Sequence, residues 1–213
     1  MLHKFSLIAI AIAAIIGLSS LFGIAKNVSA GMPIGQHIQS EKPEGQEIAT
    51  FAGGCFWCIE SEFRALDGVL YTRSGYTGGE LANPTYRDIT TGKTGHAEAV
   101  EVTYDSSIIT YRQLAEFFLM KAHDPTQLNR QGVDVGPQYR SAFFYHDEAQ
   151  KKIAEDTIDH VTMNKLYKDK IVTELNPAVT FYEAEEYHQQ YYEKYEEKNG
   201  VPHLRVMLKK AKK

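Results

Sequence analysis

The chemistry this chain offers is concentrated around sulfur. Its 213 residues hold two cysteines and one tryptophan, and all three fall within Gly53-Gly54-Cys55-Phe56-Trp57-Cys58-Ile59-Glu60. Glu47 to Ala52, ahead of that stretch, reads as a short strand. Behind it Ile59, Phe63 and Leu66 recur at helical spacing until Asp67-Gly68 stops the run. Cys55 is therefore expected at a strand-to-helix turn, where unpaired backbone N–H groups and the helix dipole favour a thiolate. The two glycines, lacking Cβ atoms, are expected to let backbone approach a ligand. Cysteine is also among the residue types most often buried as inert packing. Two thiols wrapped in aromatics directly after a Gly-Gly pair point instead to a nucleophile.

The second reactive candidate is Glu98. Gly95 to Asp105 alternates cleanly enough to read as a strand, with Val100, Val102 and Tyr104 on one face and Glu98 on that same face. A carboxyl among apolar neighbours is costly to ionise, so its pKa is expected to rise and make it a proton donor near neutral pH. The plainer alternative sets Glu98 at the strand mouth, solvated or paired with an arginine. Between His123 and Tyr139 the chain has Gly, Pro, Asn and Asp but no periodicity, a loop long enough to suggest function. It carries Asp134 and Tyr139.

The elements that must position these groups follow in order. Val69 to Tyr76 reads as a strand, and Glu80 to Asp88 as a loop turned at Asn83-Pro84. Thr110 caps an amphipathic helix to Ala122 whose buried stripe is Tyr111, Leu114, Ala115, Phe118 and Leu119. Arg140 to Tyr145 reads as a strand, Asp147 caps a helix to about Met163, and Ile171 to Val179 is strand-like. Glu183 to Lys198 reads as a last helix with Tyr187, Tyr191 and Tyr195 four apart, a stripe of the kind that usually packs. Strands and helices mix without a regular β-α rhythm, which favours an α+β sheet with helices packed on it.

Composition closes off other classes. A formal net charge of −4 with interleaved signs leaves no basic face for nucleic acid. Two cysteines at this spacing make a redox pair or half a metal site, and the eight scattered histidines supply no second close pair for structural zinc. Met1 to Ala30 reads as a targeting segment: Lys4, an apolar run from Phe5 to Ala25, then Val28-Ser29-Ala30 as a small-residue exit. Cleaved signal peptide and membrane anchor through residues 5–25 both stay open, and both put the domain outside the cytosol, periplasmic or extracellular. Residues 31–46 read as a flexible linker, 47–200 as the catalytic domain, and 201–213 as a basic tail.

Taken together the motifs resemble the peptide methionine sulfoxide reductase A family. The resemblance rests on Gly-Gly-Cys-Phe-Trp at 53–57, Gly-Tyr-Thr-Gly-Gly at 75–79, Asn-Pro-Thr-Tyr at 83–86 and Thr-Gly-His-Ala-Glu-Ala-Val at 94–100. It continues through His-Asp-Pro at 123–125, Gln-Tyr-Arg-Ser at 138–141 and Glu-Glu-Tyr-His-Gln-Gln-Tyr at 185–191. It implies a two-layer α+β sandwich with a mixed central sheet, ferredoxin-like. It also implies reduction of the S epimer of methionine sulfoxide without a bound cofactor, using an external thioredoxin-like reductant. By position, Cys55 matches the nucleophile, Glu98 the acid, Tyr86 and Tyr139 the hydroxyl donors, and Asp134 a polar member of the pocket. Phe56 and Trp57 match the apolar wall around the substrate methyl.

One departure matters. Many members carry glycine after the Phe-Trp pair and a resolving cysteine in a glycine-rich C-terminal tail, whereas here Cys58 takes the first place and no cysteine follows it. Three-apart positions on a helix are neighbours, so Cys58 is the intramolecular resolver this chain has to offer. Two rival functions share the Cys-x-x-Cys feature or the pocket: a thioredoxin-like dithiol oxidoreductase, and a module that only binds oxidised peptides. The first needs no acid on a distant strand, and the second releases no methionine.

Overall fold

The computed structural model describes residues 45–204. The expected signal or anchor segment, most of the expected linker and the lysines of the expected tail lie outside the described residues. The frame is a six-stranded mixed sheet in the order β7-β6-β1-β3-β2-β8. Its long strands are β1 (Gln46–Gly53), β2 (Val69–Thr77) and β3 (Ala97–Asp105). They are joined by β6 (Ser141–Tyr145), β7 (Glu174–Pro177) and the two-residue β8 (Tyr182–Glu183). All pairings are antiparallel except β6 with β7, which is parallel. That exception follows from the helix α4 (Glu148–Met163) between them, since parallel neighbours need a crossover.

Period-two alternation decides which side of the sheet is thick. Phe51, Val100, Val102 and Tyr104 join a large apolar cluster with Phe56, Ile59 and Phe63 of α1 (Phe56–Arg64) and Leu114 of α3 (Tyr111–Phe117). The residues between them, Ala52, Ala97 and Ala99, face the other way and form a small cluster with Ala142 and Phe144. Large side chains thus dominate the helix side, while the thinly covered face holds mostly alanines around Phe144. Phe51 sits at the centre of the thick side, stacked on Phe63 at 4.7 Å between ring centroids and tilted against Phe118 at 5.1 Å. Burying one such ring contributes about 1.5–3 kcal/mol.

The architecture is α+β with helices against a mixed sheet, as the mixed rhythm of elements indicated. Several local expectations change. Thr85 and Asp88 form a reciprocal capping box, so the expected loop at 80–88 runs into a short helix, α2 (Tyr86–Ile89). Thr110 caps α3 through an identical box with Gln113, but the last turn, Phe118–Ala122, relaxes to a π-helix. The aperiodic stretch at 123–139 holds a tight hairpin, β4 (Arg130–Gln131) with β5 (Asp134–Val135).

The single helix expected over 183–198 does not form. Gln190 adopts φ 52°, in the left-handed region, and splits it into β8, a 3-10 turn at Glu186–His188 and the helix α5 (Tyr191–Asn199). The strain there is held by Glu60 of α1, whose carboxylate accepts the Gln190 N–H at 2.7 Å. Four-residue tyrosine spacing was a correct helical signal only for its last part. Propensity within the segment could not foresee a hydrogen bond to a residue 130 positions earlier.

Candidate active site

Cys55 stands where β1 gives way to α1, with extended-side dihedrals (φ −56°, ψ 119°) and no side-chain capping bond. Its carbonyl accepts the N–H of Cys58 at 3.0 Å and of Ile59 at 3.3 Å, starting the helix. The glycines before it serve a purpose other than the expected one. Gly54 has φ +98°, and a Cβ there would lie 2.5 Å from the Gln131 Cβ. At Gly53 a Cβ would meet the Phe118 ring at 2.8 Å. The close approach these glycines permit is to the β4–β5 hairpin and the π-turn, that is, to the chain's own walls. This is how the hairpin carrying Asp134 is brought beside the nucleophile.

The helix start is also not reserved for sulfur. The Phe56 N–H donates to Glu98 Oε2 at 3.1 Å, linking the first turn of α1 to β3. Glu98 is 2 % exposed, on the same side of its strand as Val100 and Val102, which removes the solvated-mouth alternative. The Cys55 thiol feels its surroundings accordingly. A hydrogen bond with Cys58, burial, and negative charge on Cys58 or Glu98 all push its pKa up, against a lowering bond from the Trp57 N–H. Burial and acidic neighbours thus oppose the lowering that the helix N–H groups exert on the thiol.

A pocket of about 260 Å³ opens on this thiol. Cys55, Phe56 and Trp57 form one side, Glu98 and Tyr86 another. Asp134 of β5, Tyr139 from the 3-10 turn Pro137–Tyr139, and His203 complete the lining. A larger depression of about 550 Å³ lies beside Val161, Tyr167 and Lys168 and carries no sulfur and no carboxyl beyond Asp169. The chemistry belongs to the smaller one. Tyr86 is pushed up to about 12 by burial and by the charges of Glu98 and Cys55. Tyr139 is raised by burial, then Glu98 and Tyr86. Both phenols thus remain proton donors through the neutral range.

Glu185, quoted above only as part of a motif, ties the tyrosine side together. Its Oε1 accepts the Tyr86 N–H at 2.9 Å and its Oε2 the Tyr76 hydroxyl at 2.9 Å. Burial alone would raise its carboxyl, yet the bonds from Tyr86 and Tyr76 hold it below the usual range. His188 is buried behind the aromatic wall and accepts the Trp57 Nε1–H on Nδ1 at 3.0 Å. That acceptor role requires the neutral ring, and burial lowers the imidazole pKa in agreement. Tyr191 lies flat on Trp57, with ring centroids 3.8 Å apart and 10° between planes.

All eight residues singled out from the sequence, Cys55, Phe56, Trp57, Cys58, Tyr86, Glu98, Asp134 and Tyr139, thus gather at one place; Cys58 stands behind the lining, bonded to Cys55. Missed were Glu185, His188, Tyr191 and His203. For the first three the signal was present, a polar-aromatic cluster at 185–191 read as helix packing. For His203 no local signal existed.

Comparison with known proteins gives the same direction. The family model for peptide methionine sulfoxide reductase matches residues 47–213. Peptide methionine sulfoxide reductase MsrA of Methanothermobacter thermautotrophicus is 55% identical over 148 residues, 70% of this chain and 87% of that one. Reduced Mxr1 from Saccharomyces cerevisiae superposes with a TM-score of 0.67 at 34% identity, over 76% of this chain and 90% of the yeast one. The yeast protein has also been crystallised in complex with Trx2; that structure matches with a TM-score of 0.51 at 29% identity, over 70% of this chain and 87% of that one. The chain therefore belongs to the peptide methionine sulfoxide reductase family.

Proposed function

We propose that this chain reduces the S epimer of methionine sulfoxide, free or in proteins, to methionine at Cys55, and is recycled by a thioredoxin-like dithiol. The observation that carries the reading is convergence. A nucleophilic sulfur, a buried carboxyl and two phenols with raised pKa values border one pocket, whose remaining wall is aromatic. Sulfoxide sulfur yields to a thiol only when its oxygen is protonated or strongly hydrogen bonded as charge builds there. Protonated Glu98 gives its proton to the oxygen, with Tyr86 and Tyr139 donating hydrogen bonds. Phe56 and Trp57 hold the S-methyl group by sulfur–aromatic and apolar contact. The Cys55 sulfur takes the oxygen as a sulfenic acid, methionine leaves, and the thiol proton restores Glu98. Asp134 supports the polar rim.

Cys58 then attacks the sulfenic sulfur, water leaves, and a Cys55–Cys58 disulfide remains for the external dithiol to reduce. The crystallised complex of yeast Mxr1 with Trx2 supports a donor of that class for this chain. The thioredoxin-like alternative is disfavoured by Glu98, since disulfide exchange has no use for a buried acid bonded to the helix start. The strand order β6-β1-β3-β2, with α1 and α3 as its crossovers, supports a ferredoxin-like core. The apolar run at residues 5–25 supports export and repair of oxidised proteins outside the cytosol, by cleavage or by anchoring. The domain is read as 47–200, preceded by the linker at 31–46.

The test is incubation with each methionine sulfoxide epimer and dithiothreitol, followed by chromatography. Methionine should appear from the S epimer alone. Equal consumption of both epimers, or binding without methionine, refutes the reading.

A further inference from the structure

We propose that Tyr192 is the positioning residue of the resolving step, holding the Cys58 sulfur by its hydroxyl while the disulfide forms. The inference rests on Cys58 being the resolver. Cys58 is in the first turn of α1, and Cys55 is hydrogen bonded to it. On the other side its Sγ lies 3.1 Å from the Tyr192 hydroxyl. Tyr192 is 5 % exposed, and its ring is fixed between Tyr191, edge-on at 5.8 Å, and His203, stacked at 5.0 Å. The helix that carries it is secured to α1 at separate points. Glu60 accepts the Gln190 N–H, Trp57 stacks on Tyr191, and Arg64 pairs with Glu193 at 3.2 Å. A hydroxyl so held has little freedom to leave the sulfur.

The chemistry needs such a group. In the resolving step an electron pair of the Cys58 sulfur forms the S–S bond, and the S–O bond of the Cys55 sulfenic acid breaks with its pair on oxygen. The Cys58 thiol proton ends on that oxygen, giving water, so no other oxidant or reductant enters. As the thiol gives up its proton, charge builds on a sulfur in a partly buried site that disfavours it. A phenol O–H aimed at that sulfur stabilises the charge and is itself returned unchanged. Among the described residues, the titratable groups around the pair include Cys55, with Glu98 behind it, Tyr191 edge-on to the Tyr192 ring and His203 across it.

The test is Tyr192→Phe, which keeps the stacked ring and removes only the hydroxyl. Methionine formed in a single turnover should stay at wild-type rate, because that step uses Cys55 and Glu98. The lifetime of the Cys55 sulfenic acid, followed with a cyclic 1,3-dione trap, should lengthen about tenfold to a hundredfold, the effect of losing a hydrogen bond to a charged group. The loss should shrink as pH rises, since added hydroxide replaces the missing stabilisation; a merely structural defect would persist at every pH. Cys58→Ser is run alongside. If it leaves the sulfenic lifetime unchanged, Cys58 is not the resolver and both readings fall. If it lengthens the lifetime while Tyr192→Phe does not, only the Tyr192 assignment falls. Should Tyr192→Phe fold poorly, alkylation of Cys58 against pH in Cys55→Ser, with 3-fluorotyrosine at 192, gives a second measure. The more acidic phenol should move the profile down in pH, and an unmoved profile overturns the assignment.

Discussion

Replacing Glu98 by glutamine separates two effects that ordinarily travel together. The side chain is 2 % exposed and its Oε2 accepts the Phe56 N–H at 3.1 Å. Glutamine keeps the shape and an acceptor for that N–H, so the fold and the start of α1 should survive. What is lost is the acidic proton. A positioned general acid contributes about 10²–10⁴-fold, or about 3–5 kcal/mol of barrier. The glutamine amide can still donate a hydrogen bond to the sulfoxide oxygen, which places the expected loss near the lower end, about a hundredfold. The effect on the thiol runs the other way. Once ionised, Glu98 is one of the groups that push the Cys55 pKa up, so at pH values where it has lost its proton its neutral replacement should make the thiol easier to ionise. Rapid-quench measurement of methionine in the first turnover should therefore fall by about two orders of magnitude. Iodoacetamide alkylation of Cys55, measured in a Cys58→Ser background at alkaline pH, where wild-type Glu98 has lost its proton, should rise. A first turnover within a few-fold of wild type would sink the acid assignment. Slower alkylation would show that Glu98 instead promotes the thiolate.

Trp57→Ala should raise KM for a sulfoxide peptide. It should also cost about 2–4 kcal/mol in denaturant melts, since the ring loses its stack on Tyr191 and its bond to His188; normal stability would mean those contacts carry nothing. His188 bears on acid stability. Burial holds its folded pKa below 6.5, so the unfolded chain binds the extra proton first. Stability should be full above pH 6.5 and decline as pH falls from there through the folded value. His188→Gln, which retains an acceptor for Trp57, should flatten that part of the profile in thermal melts; an unchanged slope would assign it elsewhere. Gly54→Ala places a Cβ 2.5 Å from Gln131 in a backbone held at φ +98°. It should destabilise the domain by about 1–3 kcal/mol and lower first-turnover rate by displacing the Asp134 hairpin, whereas wild-type melting would mean the hairpin yields freely.

Local pattern carries part of this molecule far. Alternation in Gly95 to Asp105 put Glu98 on the side of Val100 and Val102, and helical spacing after Cys58 put Cys55 at a strand-to-helix junction. Both are properties of neighbours in sequence, so residue order is enough to express them. Thr110 and Asp147 announced their helices for the same reason, as a cap acts within one turn. The quoted motifs named six of the residues at the pocket, Cys55, Phe56, Trp57, Tyr86, Glu98 and Tyr139, because each keeps its chemistry wherever it is folded. What a glycine approaches, or which group a helix start serves, is decided by distant segments. Gly54 makes room for Gln131, and the first N–H of α1 is taken by a carboxylate 42 residues on. That is why the thiol pKa is pushed up in spite of its favourable position. Gln190 leaves helical geometry because Glu60 waits for its N–H, and no propensity scale contains Glu60. Tyr192 and His203 likewise gain their places beside sulfur only when α5 packs on α1. A hydrogen bond or stack between residues more than a hundred apart has no periodicity to leave in a sequence, and tertiary structure alone creates it.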